Sequence, residues 1–259
     1  ELVDVVPEKS NILLVGPTGS GKTLLARKLA EILELPMISV SATRFTERGY
    51  VGDTFKSVFE ELYYAADCAV ERAQYGIVYL DEFDKLARRD TRHSRDISGL
   101  GVQQELLRLI EGDKVLFTVP DEKLRVSLKT ENVLFICGGS FANLLESLVP
   151  RKTIGFANDD SQRSMRLMPR HLVDFGFLPE LVGRLPVIIQ LDELTEDDLY
   201  RVLTEPRNAL VKQYRKLALV GGRDFALGEE ELRKIARRAV ELGTGARALR
   251  ALVEEAARG

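Results

Sequence analysis

Eight consecutive residues, Gly16-Pro17-Thr18-Gly19-Ser20-Gly21-Lys22-Thr23, fit the pattern G-x-x-x-x-G-K-[ST] of a phosphate-binding loop. Glycines let such a loop wrap closely, so that backbone N–H groups point at phosphate oxygens. Lys22 has the length to reach the β- and γ-phosphates, and the Thr23 hydroxyl suits a Mg²⁺ ligand. Leu24, next in the chain, completes the expected nucleotide-contacting set. A second group with chemical potential closes the apolar run Ile77-Val78-Tyr79-Leu80, where Asp81 and Glu82 stand side by side. Asp81 suits holding Mg²⁺, directly or through water. Glu82 suits orienting and polarising the water that attacks a γ-phosphate. A second acid at this place favours hydrolysis by water over transfer of phosphate to another substrate. A guanine-reading Asn-Lys-x-Asp is excluded because the chain contains no Asn-Lys pair, so ATP is expected over GTP.

These groups need a strand, a loop and a helix in order, with the helix N-terminus aimed at the anion. Asn11–Val15 reads as a buried strand before the loop, and Thr23–Leu33 as a helix after it. Further strand-like runs are Met37–Val40, Ile77–Leu80, Asn132–Cys137 and Val187–Leu191, with helical patterns at Thr54–Gln74 and Val102–Gly112. The alternation predicts an α/β fold, a parallel sheet flanked by helices. After Leu191 the pattern is almost wholly helical. Thr195-Glu196-Asp197-Asp198 resembles a capping box, and helical tracts follow at Thr195–Leu203, Pro206–Leu217 and Glu229–Leu242. A large α/β domain over 1–191 and a small α-rich domain over 192–259 are expected.

The 259 residues are 45% hydrophobic and 30% charged, enough apolar content for a core under a well-solvated surface. No apolar run approaches the roughly 20 residues of a membrane helix, and Glu1-Leu2-Val3-Asp4 lacks the basic start of a secretory leader. With a net charge of −3 no global field attracts nucleic acid. The basic residues Lys85, Arg88, Arg89, Arg92 and Arg95 are interrupted by Asp84, Asp90 and Asp96, as on a solvated face. Cys68 and Cys137 have no metal-like spacing, and Cys137 reads as a small core residue. A cytoplasmic location fits.

Three weaker signals remain. Arg184, between Gly183 and Leu185-Pro186, could project outward to a neighbouring subunit's γ-phosphate; on spacing alone a surface Arg in a turn is the plainer reading. Arg247, after Thr244-Gly245-Ala246, could reach a nucleotide; on spacing alone a solvated helix-start Arg is plainer. Tyr50 and Val51, between Gly49 and Gly52, form either a turn with a tucked ring or a mobile finger that grips a passing polypeptide by contact area.

Taken together these segments resemble the ClpX family of hexameric AAA+ unfoldases, which feed the ClpP peptidase. The resemblance runs through Lys9–Thr23, Gly49–Gly52, Ala73–Lys85, Arg95–Gln104, Leu134–Gly139, Phe175–Pro186, Lys212–Tyr214 and Thr244–Arg247, and is poorest over Asp113–Ser127 and Ala157–Pro169. It implies an AAA+ P-loop NTPase with a small α-rich lid, a homo-hexamer, ATP with Mg²⁺, and unfolded or tagged proteins as substrates. It implies that Arg184 is the arginine acting in trans, Arg247 the sensor-2 arginine, Tyr50 and Val51 the first pore loop, and Arg95–Gly101 the second. Ile154-Gly155-Phe156 would be the loop that docks on ClpP; as residues alone they are an exposed apolar turn. Ser140 is the polar residue nearest the sensor-1 position. Three features depart from the family. The N-terminal four-cysteine zinc domain and the adenine-packing segment before the P-loop are not in the sequence, so a shortened or divergent form is expected. No Arg-Lys-His occurs between Asp113 and Thr130. Leu100 replaces an acidic residue of the second pore loop. The rival readings are an AAA+ remodelling ATPase acting on protein or nucleic-acid complexes without a peptidase, a ring that binds ATP but scarcely hydrolyses it, and a nucleic-acid motor, which the charge disfavours.

Overall fold

The computed structural model describes residues 9–45, 51–88, 90–91, 94–95, 97–119, 124–148, 166–222 and 225–257. Their contacts form two units. One holds the described residues up to Val15 together with Lys22–Gln190; the other holds Gly16–Gly21 and the residues from Leu191 onward. Among the described residues, no helix is long and apolar enough to cross a membrane.

The first unit contains β1 (Ile12–Val15), α1 (Lys22–Leu33), β2 (Met37–Ser41), α2 (Val51–Ala65), α3 (Val70–Ala73) and β3 (Ile77–Asp81). It continues with the short strands β4 (Asp90–Thr91) and β5 (Ser94–Arg95), α4 (Ile97–Glu111), β6 (Lys114–Val119), β7 (Leu124–Lys129) and β8 (Leu134–Gly139). Helices α5 (Ala142–Leu148), α6 (Pro169–Phe175) and α7 (Pro179–Gly183) lead to β9 (Val187–Gln190). Five strands form a parallel sheet in the order β2-β3-β8-β1-β9. Both faces of the inner strands β3, β8 and β1 are buried, which is why those strands read as apolar runs. Alternate residues serve opposite faces: Leu13, Val15, Val78 and Leu80 join one core with Phe59 and Leu62 of α2 and Leu106 of α4, while Leu14, Ile77, Tyr79 and Ile136 meet Ala26 and Ala30 of α1. Small Ala side chains bring α1 close to the sheet.

That close approach extends to Gly138 on β8. A Cβ there would lie 2.2 Å from the Tyr79 hydroxyl oxygen and 2.8 Å from Cζ, and the Tyr79 ring is itself fully buried. Overpacking of this kind costs about 3 kcal/mol. Gly138→Ala is therefore expected to lower the thermal midpoint of the first unit by about 5–10 °C in scanning calorimetry; an unchanged midpoint would show that the ring has room to move.

The segment expected as one helix, Thr54–Gln74, is instead two. Asp67 and Cys68 take left-handed φ values of 57° and 61°, and the Cys68 N–H donates to the Tyr63 carbonyl at 3.0 Å, closing α2 before α3 begins. The antiparallel hairpin β6–β7 occupies a stretch for which no element was expected. Val115, Phe117 and Val119 point inward with Val126 and Leu128, but the exposed Leu116 hides the alternation in the sequence. Helix α4 begins five residues earlier than expected, at Ile97, and the short helices α5 and α6 lie where no element was expected.

The second unit contains α8 (Glu196–Thr204), α9 (Leu210–Val220), α10 (Glu229–Glu241) and α11 (Arg247–Ala256). Leu199 and Leu203 pack with Leu232, Ile235, Ala239, Leu249 and Val253. The capping box is present: the Asp198 N–H donates to Thr195 Oγ1 at 3.2 Å, and the Thr195 N–H to Asp198 Oδ2 at 3.0 Å. These Thr195 hydrogen bonds hold the Asp198 carboxyl below its ordinary pKa. Helix α9 starts later than the expected Pro206, because the Pro206 carbonyl accepts the Ala209 N–H in a preceding turn.

Candidate active site

The phosphate-loop motif follows β1, and α1 starts within it at Lys22. The division between units falls inside the motif, between Gly21 and Lys22. In the second unit, Gly19 has φ 82°, and a Cβ on it would stand 2.2 Å from the Thr244 carbonyl oxygen. Glycine is required there both for conformation and for space. The Gly19 carbonyl accepts the Ala246 N–H at 3.3 Å. The next residue, Arg247, opens α11 with an exposed side chain.

In the first unit, Lys22 is only 8% exposed. Thr23 Oγ1 lies 3.4 Å from Asp81 Oδ2 at the end of β3. Between them stands the Tyr79 hydroxyl, 3.4 Å from Thr23 Oγ1 and 3.4 Å from Asp81 Oδ1. Burial pushes the Tyr79 phenol up to about 12. Adjacent oxygens around one Mg²⁺ ion sit roughly 3 Å apart. The Thr23 and Asp81 oxygens are close enough for both to serve one ion, so the donor set fits.

Glu82 has a left-handed φ of 56°, a conformation costing a non-glycine residue on the order of 1 kcal/mol. Its N–H donates to Asp81 Oδ1 at 2.9 Å. Its carboxylate accepts the Ser41 hydroxyl at 2.7 Å, and Ser41 Oγ is 2.8 Å from Thr43 Oγ1. The parallel register pairs Ser41 with Asp81, so β2 delivers a hydroxyl to the acid just beyond β3. One carboxylate thus faces the Thr23 hydroxyl, and the next is held apart by a polar clasp. That arrangement can bind a triphosphate with its cation and orient a water.

The sequence pattern that describes the AAA domain (Cdc48 subfamily) matches residues 7–188. The chain belongs to the AAA family. This AAA chain is also 41% identical, over an alignment of 272 residues, to the ATP-dependent Clp protease ATP-binding subunit ClpX of Treponema denticola, covering 97% of the chain and 65% of that relative. To ClpX 3 of Methylococcus capsulatus it is 44% identical over 268 residues, covering 95% of the chain and 62% of the relative. The chain therefore spans less than two thirds of the length of these curated relatives.

The remaining expected site residues of the AAA chain fall as follows. Pro17, Thr18 and Ser20 lie with Gly16, Gly19 and Gly21 in the second unit, and Leu24 is exposed on α1. Arg184 follows α7 with its guanidinium exposed, Nη2 2.9 Å and Nε 3.1 Å from Glu111 Oε1. Ser140 follows β8; its hydroxyl and N–H both donate to the buried Asp84, at 3.3 and 3.2 Å. Cys137 is fully buried and its thiol is pushed far up by burial. Tyr50, Ile154, Gly155 and Phe156 lie outside the described residues, as do the side chains of Val51 and Arg95.

Several supporting residues were not found by sequence reasoning. Asn11 donates to the Arg184 carbonyl at 3.0 Å and accepts the Phe135 N–H at 3.1 Å, tying Arg184 to the sheet. Gln103 is fully buried; its amide donates to the Leu86 carbonyl at 2.8 Å and accepts the Leu178 N–H at 2.8 Å, joining the turn after Glu82 to the start of α7. Ser41, Glu111 and Tyr79 complete the set. Each is an ordinary residue in or beside a strand or helix, with at least one partner distant in sequence.

Proposed function

We propose that this chain is the motor part of a ClpX-like, ATP-driven protein unfoldase that delivers substrates to a ClpP-type peptidase. The observation that carries the reading is the pairing of Thr23 with Asp81 beside a separately held Glu82, in a chain 41–44% identical to relatives named as Clp protease ATP-binding subunits. Six copies form a ring in the cytoplasm, each with a large domain over 1–191 and a small one over 192–259.

In this reading Gly16–Thr23 and Leu24 bind the triphosphate, with Lys22 beside the β- and γ-phosphates. Thr23 and Asp81 hold Mg²⁺. When bound, that ion neutralises charge on the phosphate oxygens. Glu82 orients a water; the water oxygen bonds to the γ-phosphorus as the bond to the β–γ bridging oxygen breaks, and Glu82 takes up the water's proton. Arg184 from the adjacent subunit offsets charge on the transferring group, and Arg247 contacts the nucleotide from the small domain. Hydrolysis is coupled to motion at Leu191–Glu193, which drives Tyr50 and Val51 along the pore, with Arg95 on a second loop. Ile154-Gly155-Phe156 dock on the peptidase.

The test is loss of fluorescence from a tagged, stably folded fluorescent protein, with ATP, Mg²⁺ and ClpP, against controls lacking each. Loss that needs both ATP and ClpP supports delivery to a protease; ATP hydrolysis without loss supports a remodelling ATPase. Tyr50→Ala is expected to reduce the substrate unfolded per ATP hydrolysed by roughly tenfold, because a ring's contact area is what transmits the pull. Wild-type coupling in that variant would remove Tyr50 from the pore.

A further inference from the structure

We propose that Tyr79 is a positioning residue for the metal end of the phosphate site, acting through Asp81; the proposal rests on the nucleotide-site reading above. Tyr79 sits on the α1 side of β3, the strand between β2 and β8, packed with Ala26, Ala30 and Ile136, so its ring lies under α1. Its hydroxyl emerges where Thr23 and Asp81 meet. The Tyr79 hydroxyl is 3.4 Å from Thr23 Oγ1 and 3.4 Å from Asp81 Oδ1, and Thr23 Oγ1 is 3.4 Å from the other Asp81 oxygen, Oδ2, each longer than an ordinary O–H···O bond of about 2.7 Å.

The two oxygens of Asp81 are not equivalent. Oδ1 faces the Tyr79 hydroxyl and accepts the Glu82 N–H, whereas Oδ2 faces Thr23. The hydroxyl therefore helps decide which carboxylate oxygen is presented beside Thr23. A second feature of the fold preserves this place: β8 has glycine at 138, where any Cβ would come within 2.2 Å of the Tyr79 oxygen. A hydrogen-bonding group behind a metal-binding carboxylate fixes its orientation, and loss of such a group typically costs 10–100-fold in metal affinity.

The test is Tyr79→Phe in the full chain, which keeps the ring and removes only the hydroxyl. A fluorescent ATP analogue is titrated in EDTA and then at increasing Mg²⁺, and the half-saturating Mg²⁺ concentration is read. The expected result is a rise of roughly tenfold in that concentration, larger than any change in analogue affinity in EDTA. In an Asp81→Asn background, Tyr79→Phe is expected to produce no further rise, because its effect passes through that carboxylate. A Tyr79→Phe variant with a lowered unfolding temperature but the wild-type Mg²⁺ half-saturation would overturn the assignment and leave Tyr79 a packing residue. Equal losses in EDTA and in Mg²⁺ would also overturn it. A wild-type chain that fails to bind the analogue would remove the nucleotide-site reading itself, an outcome distinct from the other two.

Discussion

Glu82→Gln is expected to bind ATP and to release phosphate at least ~100-fold more slowly than the wild-type chain, the scale of losing a positioned base. The amide keeps the size of the side chain and an oxygen to accept the Ser41 hydroxyl, now at 2.7 Å from the carboxylate, so the local geometry has little reason to collapse. What it loses is the charge that polarises water. Lys22, Thr23 and Asp81, which hold the triphosphate and its cation in the proposed mechanism, are untouched. Binding and turnover should therefore separate, measured by titration of a fluorescent ATP analogue and by phosphate release under saturating ATP. A variant that turns over within a few-fold of wild type would place the base elsewhere.

The two motifs behind this prediction were legible because each is local: eight contiguous residues between a strand and a helix, and two acids at the end of an apolar run. The parallel sheet was legible for the same reason, since burial on both faces makes the inner strands β3, β8 and β1 apolar runs. What was not legible depends on pairings across long stretches of chain. Ser41 and Glu82 are 41 residues apart, and Arg184 and Glu111 are 73 apart; only the register of β2 on β3 and the placement of α4 near α7 bring them together. Tyr79 was hidden differently. An aromatic in an apolar strand reads as core, and it is core; its hydroxyl matters only because α1 starts directly above it. The hairpin β6–β7 escaped because Leu116 breaks the polar–apolar alternation.

Arg184 is the residue for which spacing and fold argue least alike. In sequence it is a surface Arg in a turn. In the fold it is exposed, with 55% of its side chain accessible and an ion pair to Glu111, while its backbone is anchored through Asn11. An exposed pair of this kind contributes about 0–1 kcal/mol, so stability gives no reason for an anchored backbone; a guanidinium presented outward from a fixed point suits action on another subunit. Arg184→Ala is accordingly expected to fold normally and to lose ~10³-fold or more in ATP hydrolysis, the scale of an arginine finger. Mixing supplies the decisive measurement. Arg184→Ala and Glu82→Gln subunits are each expected to be nearly inactive alone, but in the proposed head-to-tail ring about a quarter of the sites would join an intact Glu82 to an intact neighbouring Arg184. Phosphate release should therefore recover to a sizeable fraction of wild type on mixing equal amounts. No recovery, with mixed rings verified by cross-linking, would mean that Arg184 acts within its own subunit.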